Sequence, residues 1–443
     1  MLRLGIHYIE PRRVGFFIAE EAALSAAFLA AASATAWSIG VAPNLTRMIA
    51  SAIAIGAAME FALSLADLHD LRVALEDAGH GRRLLKVLGA ISIASALAML
   101  VALRHDPGAA PMAAGVAGAC LAVLGTRTFL PALDRYSSLK TKVFLVGEGQ
   151  AAHRLVREIQ RDGTVEVAGF CGPQTEGLAD KARAAGACAV VVATDDRRGA
   201  PTEELLRCRT EGLDVADSAI FAARALHRLP VELVKPSDLI YGDGFVASAW
   251  VRIGRRAVSV AAALTLLVLT SPLLLAAAIL IKLEGDGPIL FRQERVGRHG
   301  KTFNILKLRT MGVNAEQKGA AWAKTDDPRV TRIGKWLRRF RVDELPQLIN
   351  VLRGDMELVG PRPERPQFVD MLRKQIPFYD LRHLVPPGIT GWAQVCYPYA
   401  ASVEEAREKL QYDLYYVRHL GVVFDMFILL MTARTILLGR GAR

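Results

Sequence analysis

The chain has 443 residues, which is enough for two or three domains. Hydrophobic residues make up 52% of it, a high share for a soluble protein, and this indicates membrane helices alongside soluble domains. The net charge of +11 fits anionic membrane surfaces, nucleic acids or phosphorylated substrates as partners. The five cysteines are scattered without a CxxC pair, which argues against a zinc site and against a disulfide framework.

Four apolar stretches occupy the first third of the chain, at about 14–36, 48–66, 84–103 and 111–131. Each is close to the ~20 residues that a helix needs to cross the hydrocarbon core of a bilayer. Lysine and arginine are concentrated before the first stretch, between the second and third, and after the fourth. By the positive-inside rule, the sequence therefore predicts a bundle of four transmembrane helices over 1–139 with both ends in the cytoplasm.

Residues 140–245 predict a small Rossmann-like domain with a parallel sheet. The run "KVFLVGEGQAAHRLVREIQ" is a β-branched strand, a glycine turn and a helix, and strands and helices alternate after it. Gly147, Gly149 and Ala152 have the spacing of a dinucleotide turn, but the strand "VEVAGF" lacks the acidic residue expected at its end. A structural remnant, or a site for another nucleotide-like ligand, is therefore favoured over a working NAD site.

The apolar run 257–281 is long enough to span a bilayer, yet it is flanked by basic residues on both sides. A crossing would put everything downstream on the far side of the membrane, where such a basic flank is not expected. Ser271 and Pro272 lie past its middle, and proline removes a helix hydrogen bond and bends the axis. The residues leave two alternatives open: a kinked full span, and a helix within 246–282 that breaks at Ser271-Pro272 and returns to the same side.

The C-terminal run 420–438 is also apolar, but it contains Asp425 and Arg434. An interfacial helix is therefore expected there rather than a span.

Two adjacent carboxylates, Asp343 and Glu344, follow the basic segment "WLRRFR" and open the predicted helix "ELPQLINVLRG". Helix capping alone would explain an isolated acidic pair. Basic residues flank this pair in sequence on both sides: Lys301, Lys307, Arg309, Arg338, Arg341 and Arg362. Cations stabilise phosphoryl oxygens, carboxylates hold Mg²⁺, and an aspartate can attack phosphorus. The residues thus favour phosphorus chemistry, with an Asp343 that the helix end and the arginines keep ionised.

Four segments in order carry a resemblance: "GKTFNILKLRTM", "RVDELPQLINVLRGDMELVGPRP", "PGITGWAQV" and "YDLYYV". Through about 250–443 the chain resembles the catalytic domain of bacterial polyprenyl-phosphate sugar-1-phosphate transferases, the monotopic phosphoglycosyl transferases. Its N-terminal part looks like that of the large members, which start exopolysaccharide, capsule or O-antigen assembly. The resemblance implies a small α/β catalytic domain over 283–443, on the cytoplasmic face of the bacterial inner membrane. It also implies that the preceding helix is re-entrant and broken at Ser271-Pro272.

The resemblance further implies a role for each candidate residue. Asp343 would attack the β-phosphate of a UDP-sugar, release UMP and carry the phosphosugar until undecaprenyl phosphate takes it in a ping-pong second step. Glu344 would hold the cofactor, Mg²⁺. The cations expected to contact substrate phosphates are Lys307, Arg338, Arg362, Lys301, Arg309 and Arg341. The motif "PGITGWAQV" is expected either to line the nucleotide or sugar pocket or to be an ordinary turn and strand.

The expected partners are a UDP-sugar, undecaprenyl phosphate and inner-membrane lipid, with a homodimer expected and no nucleic acid. The family suggests glucose or galactose as the sugar, and the residues carry no legible code for it. Two other functions stay open. A membrane-tethered NAD-dependent nucleotide-sugar dehydratase or epimerase would use the Rossmann-like domain, and a non-catalytic scaffold would use Asp343 and Glu344 only as helix caps.

Overall fold

The computed structural model describes residues 2–4, 7–9, 11–38, 40, 46, 48–49, 51–52, 111, 114–123, 141–163, 165–196, 200–242, 244–312, 327–397 and 402–437. The chain divides into two compact units, Met1–Leu139 and Lys140–Arg443. The finer division expected from the sequence, into 140–245, 246–282 and 283–443, stays a prediction.

The described part of the first unit contains a short strand pair and two apolar helices. Its elements are β1 (Leu2–Leu4), the antiparallel β2 (His7–Ile9), α1 (Pro11–Ser38) and α2 (Ala114–Val123). Leu24 and Phe28 of α1 share a buried cluster with Val116 and Val123 of α2. The predicted span at about 84–103 lies outside the described residues, the one at 48–66 lies largely outside them, and about half of the one at 111–131 does. The four-helix bundle therefore stays a prediction.

The second unit begins with a four-stranded parallel sheet. Its strands are β3 (Thr141–Val146), β4 (Val165–Cys171), β5 (Ala189–Val192) and β6 (Asp214–Asp217), in the order β4-β3-β5-β6. Its helices are α3 (Gln150–Asp162), α4 (Leu178–Ala184), α5 (Thr202–Thr210), α6 (Ser218–Leu226) and α7 (Pro236–Ile240). Alternate residues of β3 point to opposite faces, so that Val143 packs with α3 and α6 while Phe144 packs with α4. The predicted parallel α/β region is confirmed.

The glycine turn after β3 binds a carboxylate of the chain itself. Asp195, which follows β5, accepts hydrogen bonds from Gln150 N at 3.0 Å and from Ala151 N at 2.9 Å. A Cβ on Gly149 would lie only 2.0 Å from the Asp195 Oδ2 atom, so a side chain at this position would displace the carboxylate. In a dinucleotide fold these N–H groups bind the pyrophosphate. Asp195 therefore occupies the N–H groups that would bind a pyrophosphate, which is consistent with the sequence-based expectation that this turn is not a working NAD site.

Helix α8 (Ala249–Glu284) follows, and its 36 residues correspond to roughly 54 Å. Within the described residues it is the one helix long and apolar enough to cross a membrane. The helix continues through Pro272, which has no N–H to donate to Val268 O. Ser271 replaces that donor, because its Oγ donates to Val268 O at 2.7 Å. The Ser-Pro pair thus lies inside one helix rather than between two, and the re-entrant path stays a prediction.

Residues 285–437 combine two strand pairs with short helices. The strands are β7 (Leu290–Val296) with the antiparallel β8 (Thr302–Leu308), and β9 (Glu357–Val359) with the parallel β10 (Gly388–Thr390). The helices are α9 (Arg332–Arg339), α10 (Gln347–Arg353), α11 (Pro366–Gln375), α12 (Trp392–Cys396), α13 (Val403–Arg418) and α14 (Val422–Leu437). Gly354 ends α10 in a left-handed conformation with φ of 94°.

The beginning of α8 is fixed to this region by a buried polar network. Arg255 is only 5% exposed. Its Nε donates to Asp425 Oδ2 of α14 at 2.6 Å, and its Nη2 donates to Val359 O of β9 at 3.2 Å. Tyr416 of α13 donates its hydroxyl to Asp425 Oδ1 at 2.8 Å. Asp425 therefore faces a cation rather than lipid, and whether α14 is interfacial stays a prediction.

The end of α8 contacts the same region at another place. Ala277 and Ile281 share a buried cluster with Leu308 of β8 and Leu337 of α9. The guanidinium of Arg309 donates to Ile281 O at 3.1 Å and caps the helix C-terminus. Both ends of the apolar helix are thus fixed to residues 285–437.

The sheet region contacts α13 through charged and backbone groups. Arg228 lies between Glu158 of α3, at 2.6 Å, and Glu408 of α13, at 2.5 Å. Leu229 N donates to Gln411 O at 3.0 Å. Helix α13 therefore joins the parallel sheet to the region that carries the acidic pair.

Candidate active site

Asp343 and Glu344 lie in a 3₁₀ turn, Val342–Glu344, between α9 and α10. The turn follows Arg341, whose φ of 58° is a left-handed conformation that a non-glycine residue rarely adopts. Val342 anchors the turn to the core, because it is buried in one cluster with Leu308 of β8. Such enforced backbone strain is a feature of functional sites.

Glu344 is surrounded by cations. Arg362 Nη2 donates to Glu344 Oε1 at 2.6 Å, and Lys307 Nζ and Arg341 Nη1 each lie 3.5 Å from the same oxygen. Burial disfavours the ionised form, but Arg362, Lys307 and Arg341 outweigh it and hold the pKa of Glu344 well below its usual range. Three cations around one carboxylate leave positive charge that an anionic ligand can neutralise.

Asp343 is 7% exposed, and its Oδ1 has no hydrogen-bond partner among the described residues. Burial raises the pKa of Asp343, adjacent Glu344 raises it further, and Lys307 and Arg338 oppose the shift. The net shift is opposite to the one expected from the charges in the sequence, because that expectation omitted desolvation. A carboxylate that is poorly solvated as an anion is the more reactive as a nucleophile.

The cations come from three separate elements. Lys307 lies on β8, and burial lowers its pKa while Glu344 opposes that shift. Arg338 lies in the last turn of α9, where its Nε donates to Thr310 Oγ1 at 2.9 Å. Arg362 follows β9. The structure thus brings Lys307, Arg338, Arg341 and Arg362 together at the acidic pair.

The backbone around Arg362 is held at several points. Gly360 N donates to Thr390 O of β10 at 2.8 Å, and Gly388 N donates to Pro361 O at 3.0 Å. Arg382 Nη2 donates to the carbonyl of Arg362 at 3.0 Å. These bonds aim the Arg362 side chain at Glu344.

Two predicted phosphate ligands lie elsewhere. The guanidinium of Arg309 donates to Ile281 O, Gly285 O and Asp286 O at the end of α8, and it is occupied by these carbonyls. Lys301 precedes β8 and is six residues from Lys307, a separation of roughly 20 Å along a strand. The structure therefore does not bring Lys301 or Arg309 to Glu344.

Three buried residues beside the site, Arg382, Asp413 and Gln347, were not predicted from the sequence. Arg382 is 4% exposed and pairs with Asp413 at 2.7 Å. The two are far apart in sequence, so no local pattern indicates their contact. Gln347 is buried one turn after Asp343, and its spacing from the aspartate is a signal that helical periodicity could have supplied.

The motif "PGITGWAQV" forms the strand β10 followed by the helix α12, which differs from the expected turn followed by a strand. Trp392 is buried, and its Nε1 donates to His227 O in the sheet region at 2.8 Å. Its ring packs against Phe424 with centroids 5.4 Å apart. Trp392 thus fixes the two parts of the unit together, and β10 serves the site by holding the segment before Arg362.

The comparisons with known proteins concern this same region. Residues 250–439 match the family model described as bacterial sugar transferase. A UDP-N-acetylgalactosamine-undecaprenyl-phosphate N-acetylgalactosaminephosphotransferase of Aeromonas hydrophila is 51% identical over 189 residues, which are 43% of this chain and 45% of that protein. A UDP-glucose:undecaprenyl-phosphate glucose-1-phosphate transferase of Escherichia coli is 42% identical over 183 residues, 41% of this chain and 39% of that protein.

The chain therefore spans less than half the length of these two relatives, 45% and 39%. A shorter relative is covered more completely. The UDP-glucose:undecaprenyl-phosphate glucose-1-phosphate transferase of Caulobacter vibrioides is 45% identical over 212 residues, which are 47% of this chain and 79% of that protein. Because this chain is 45% identical to the Caulobacter vibrioides transferase and covers 79% of it, and because the family model matches the region that contains the acidic pair, the chain belongs to the bacterial sugar transferase family.

Proposed function

We propose that the protein transfers a sugar 1-phosphate from a UDP-sugar to undecaprenyl phosphate, giving UMP and a polyprenyl-diphosphate sugar. This would be the first membrane step of exopolysaccharide synthesis. The observation that carries the proposal is the convergence of Lys307, Arg341 and Arg362 on Glu344, beside the buried Asp343. The relatives are named as undecaprenyl-phosphate sugar phosphotransferases, which supports the same reaction.

In the first step, an oxygen of Asp343 attacks the β-phosphorus of the UDP-sugar. A bond forms between that oxygen and phosphorus, and the bond from the β-phosphorus to the bridging oxygen breaks, so that UMP leaves with the electron pair. Lys307 and Arg362 compensate the charge on the transferring phosphoryl group. Burial raises the pKa of Asp343 and so makes its anion a stronger nucleophile, while Lys307 and Arg338 favour the ionised form.

In the second step, a phosphate oxygen of undecaprenyl phosphate attacks the same phosphorus. The bond to Asp343 breaks, and the carboxylate is regenerated. The enzyme therefore follows ping-pong kinetics, in which UMP leaves before the lipid reacts. Because the two phosphate substrates use one site in turn, the same cations serve both steps.

Magnesium is the implied cofactor, and the donor set fits an ion that binds together with the diphosphate. Among the described residues no group of three or more acidic, histidine or cysteine side chains could hold a metal by itself. Glu344 is ionised and would hold the ion, whose remaining ligands would be phosphate oxygens and water. When bound, the ion withdraws charge from the phosphoryl oxygens.

The attachment of α8 supports a re-entrant path in the membrane. Arg255 near its start and Ile281 near its end both contact residues 285–437. If the helix crossed the bilayer, one folded region would have to reach both membrane faces. A helix that enters and leaves on the cytoplasmic face avoids this, and it places the site where a cytosolic UDP-sugar meets a lipid phosphate. The four N-terminal spans, the Rossmann-like character of the sheet region and a homodimer belong to the same proposal.

The test is an assay of the purified full chain with Mg²⁺, undecaprenyl phosphate and a panel of UDP-sugars, including UDP-glucose, UDP-galactose and UDP-N-acetylgalactosamine. We expect one donor to give UMP together with a lipid-linked sugar diphosphate identified by mass spectrometry. Without undecaprenyl phosphate, UMP should be released in an amount close to that of the enzyme. Absence of UMP with every donor would refute the proposed function.

A further inference from the structure

A buried arginine holds the backbone of Arg362 from behind the acidic pair. Arg382 lies in the 3₁₀ segment Tyr379–Leu384 and is 4% exposed, and its Nη2 donates to the carbonyl oxygen of Arg362 at 3.0 Å. The side chain of Arg362 is 29% exposed and donates to Glu344. Arg362 therefore offers surface to a ligand at the acidic pair, whereas the enclosed Arg382 does not.

The carbonyl is the only polar group by which the peptide bond after Arg362 can be held. The next residue is Pro363, which has no N–H to donate. Pro361 and Pro363 also restrict the backbone on both sides of Arg362. A donor at this carbonyl therefore fixes the plane of the peptide and, with it, the direction in which the Arg362 side chain leaves the backbone.

Three further hydrogen bonds fix the guanidinium of Arg382. Its Nε and Nη2 both donate to Asp413 Oδ2 of α13, at 3.1 Å and 2.7 Å. Its Nη1 donates to the hydroxyl of Tyr379 at 2.9 Å. Apolar side chains can often replace a buried ion pair with little loss of stability. Apolar side chains could not supply the bond to the carbonyl of Arg362.

We propose that Arg382, oriented by Asp413, is a positioning residue that sets the Arg362 guanidinium for contact with a substrate phosphate. Asp413 compensates the charge of Arg382, so the effect on the site is geometric and passes through the Arg362 carbonyl. The inference rests on the proposed function, because that function assigns Arg362 to a phosphate of the UDP-sugar.

The kinetic test is a double-mutant cycle of Arg382→Lys and Arg362→Met. Lysine keeps the charge beside Asp413 but lacks the planar fork with which arginine binds Asp413 and the carbonyl together. We expect kcat/KM for the UDP-sugar to fall about 10-fold in Arg382→Lys, because misplacement of a phosphate-binding cation costs rate. In the Arg362→Met background the same substitution should change kcat/KM by less than about twofold, since the side chain through which Arg382 acts is absent.

Arg255→Lys is the matched control. Arg255 is 5% exposed, pairs with Asp425 and donates to the carbonyl of Val359, so it is a similar buried pair that holds another residue of the same segment. Any fall in kcat/KM that Arg255→Lys causes should be the same with and without Arg362→Met.

A merely structural role predicts that Arg382 behaves as this control does. Arg382→Lys would then lower the melting temperature, and its effect on kcat/KM would persist in the Arg362→Met background. That result, or an unchanged kcat/KM in Arg382→Lys, would overturn the inference.

A binding measurement separates this inference from the proposed function. The Kd of pyrophosphate is obtained from the rise in melting temperature of wild type, Arg382→Lys, Arg362→Met and the double variant. We expect the Kd to rise about 3- to 10-fold in Arg382→Lys, and the double variant to match Arg362→Met. Equal Kd values for Arg382→Lys and wild type would overturn the positioning role. A wild type that binds pyrophosphate but releases no UMP from any donor would refute the proposed function, and this titration would still decide whether Arg382 acts through Arg362.

Discussion

Two arginine–carboxylate pairs in this protein, one buried and one partly buried, have the same separation but different surroundings. Arg255 Nε and Asp425 Oδ2 are 2.6 Å apart, as are Arg362 Nη2 and Glu344 Oε1. In the first pair Tyr416 donates to the other carboxylate oxygen, so each charge is matched within the fold. In the second, Lys307 and Arg341 add further positive charge to one carboxylate.

The difference separates a scaffold from a binding site. Buried charges are costly, and a network in which every partner is present only recovers that cost. The cost of burying excess charge of one sign is not offset within the fold, and a ligand of the opposite sign is needed to offset it. We therefore expect substitutions at the matched pair to reduce stability, and substitutions at the unmatched cluster to reduce activity.

The largest expected effect is that of Asp343→Asn. Removal of the proposed nucleophile should lower the rate of UMP formation by about 10⁴-fold or more, and no phosphosugar adduct should be trapped on the protein. The melting temperature should not fall, because burial and Glu344 both disfavour a charge at this position. Intact-protein mass spectrometry after mixing with the UDP-sugar measures the adduct, and appreciable turnover would assign the nucleophile to another residue.

Arg255→Met should cause the largest loss of stability. It leaves Asp425 buried without its cation, which costs about 3–5 kcal/mol in comparable cases. Thermal unfolding in detergent is the measurement, and Arg256→Met is the matched control. Arg256 is adjacent but only half-buried, with bonds to Met356 O and Leu352 O, so its loss should cost much less. Equal losses for the two variants would contradict the comparison.

Arg362→Met should instead lower kcat/KM by about 10²- to 10³-fold, because one cation that stabilises the transferring phosphoryl group is lost. Its effect on stability should be smaller than that of Arg255→Met, since Lys307 and Arg341 remain beside Glu344. Steady-state kinetics together with melting temperatures check both parts. Arg339→Met, an exposed charge on α9, should leave both quantities near wild type.

Glu344→Gln should lower the rate by about 10²-fold and raise the Mg²⁺ concentration needed for half-maximal activity. Glutamine keeps the shape of the side chain but is a weaker ligand for a hard cation than an ionised carboxylate. A magnesium titration of the variant against wild type measures the shift. An unchanged requirement for Mg²⁺ would contradict the proposed role of Glu344 as a magnesium ligand.

These residues also show how much of the site could be predicted from the sequence. The gathering of Lys307, Arg338 and Arg362 at the acidic pair follows from charge patterning and from the resemblance to a family. The position of the Arg309 side chain could not be predicted from the sequence, because it depends on the tertiary contact between Arg309 and the end of α8. A residue's charge indicates what it can bind, whereas the tertiary fold decides what it meets.

Burial is the second quantity that the sequence did not supply. The charges around Asp343 predicted an aspartate kept ionised, and its enclosure raises the pKa instead. The same holds for Arg382 and Asp413, whose pairing follows from the packing of α13 and from no local pattern. Local elements such as the parallel strands and the glycine after α10 were predictable because they depend on neighbours in sequence.

The smallest expected effect concerns His383, a buried side chain outside both pairs. It is 8% exposed, and burial lowers its pKa from 6.5 to about 4, with Arg382 adding to the shift and Asp380 opposing it. Its ring packs edge-on against Tyr379, with centroids 6.0 Å apart. The folded protein therefore favours the neutral imidazole.

Between the folded and unfolded pKa values, the unfolded chain binds a proton that the folded chain does not bind. The contribution of His383 is thus fully present above about pH 6.5 and is lost as the pH falls through about 4. We expect wild type to lose on the order of 1–2 kcal/mol from this group between pH 7 and pH 5. Melting temperatures of His383→Phe at the two pH values isolate the effect, because phenylalanine keeps the ring and cannot titrate. If the variant and wild type lose the same stability on acidification, the imidazole is not held neutral by the fold.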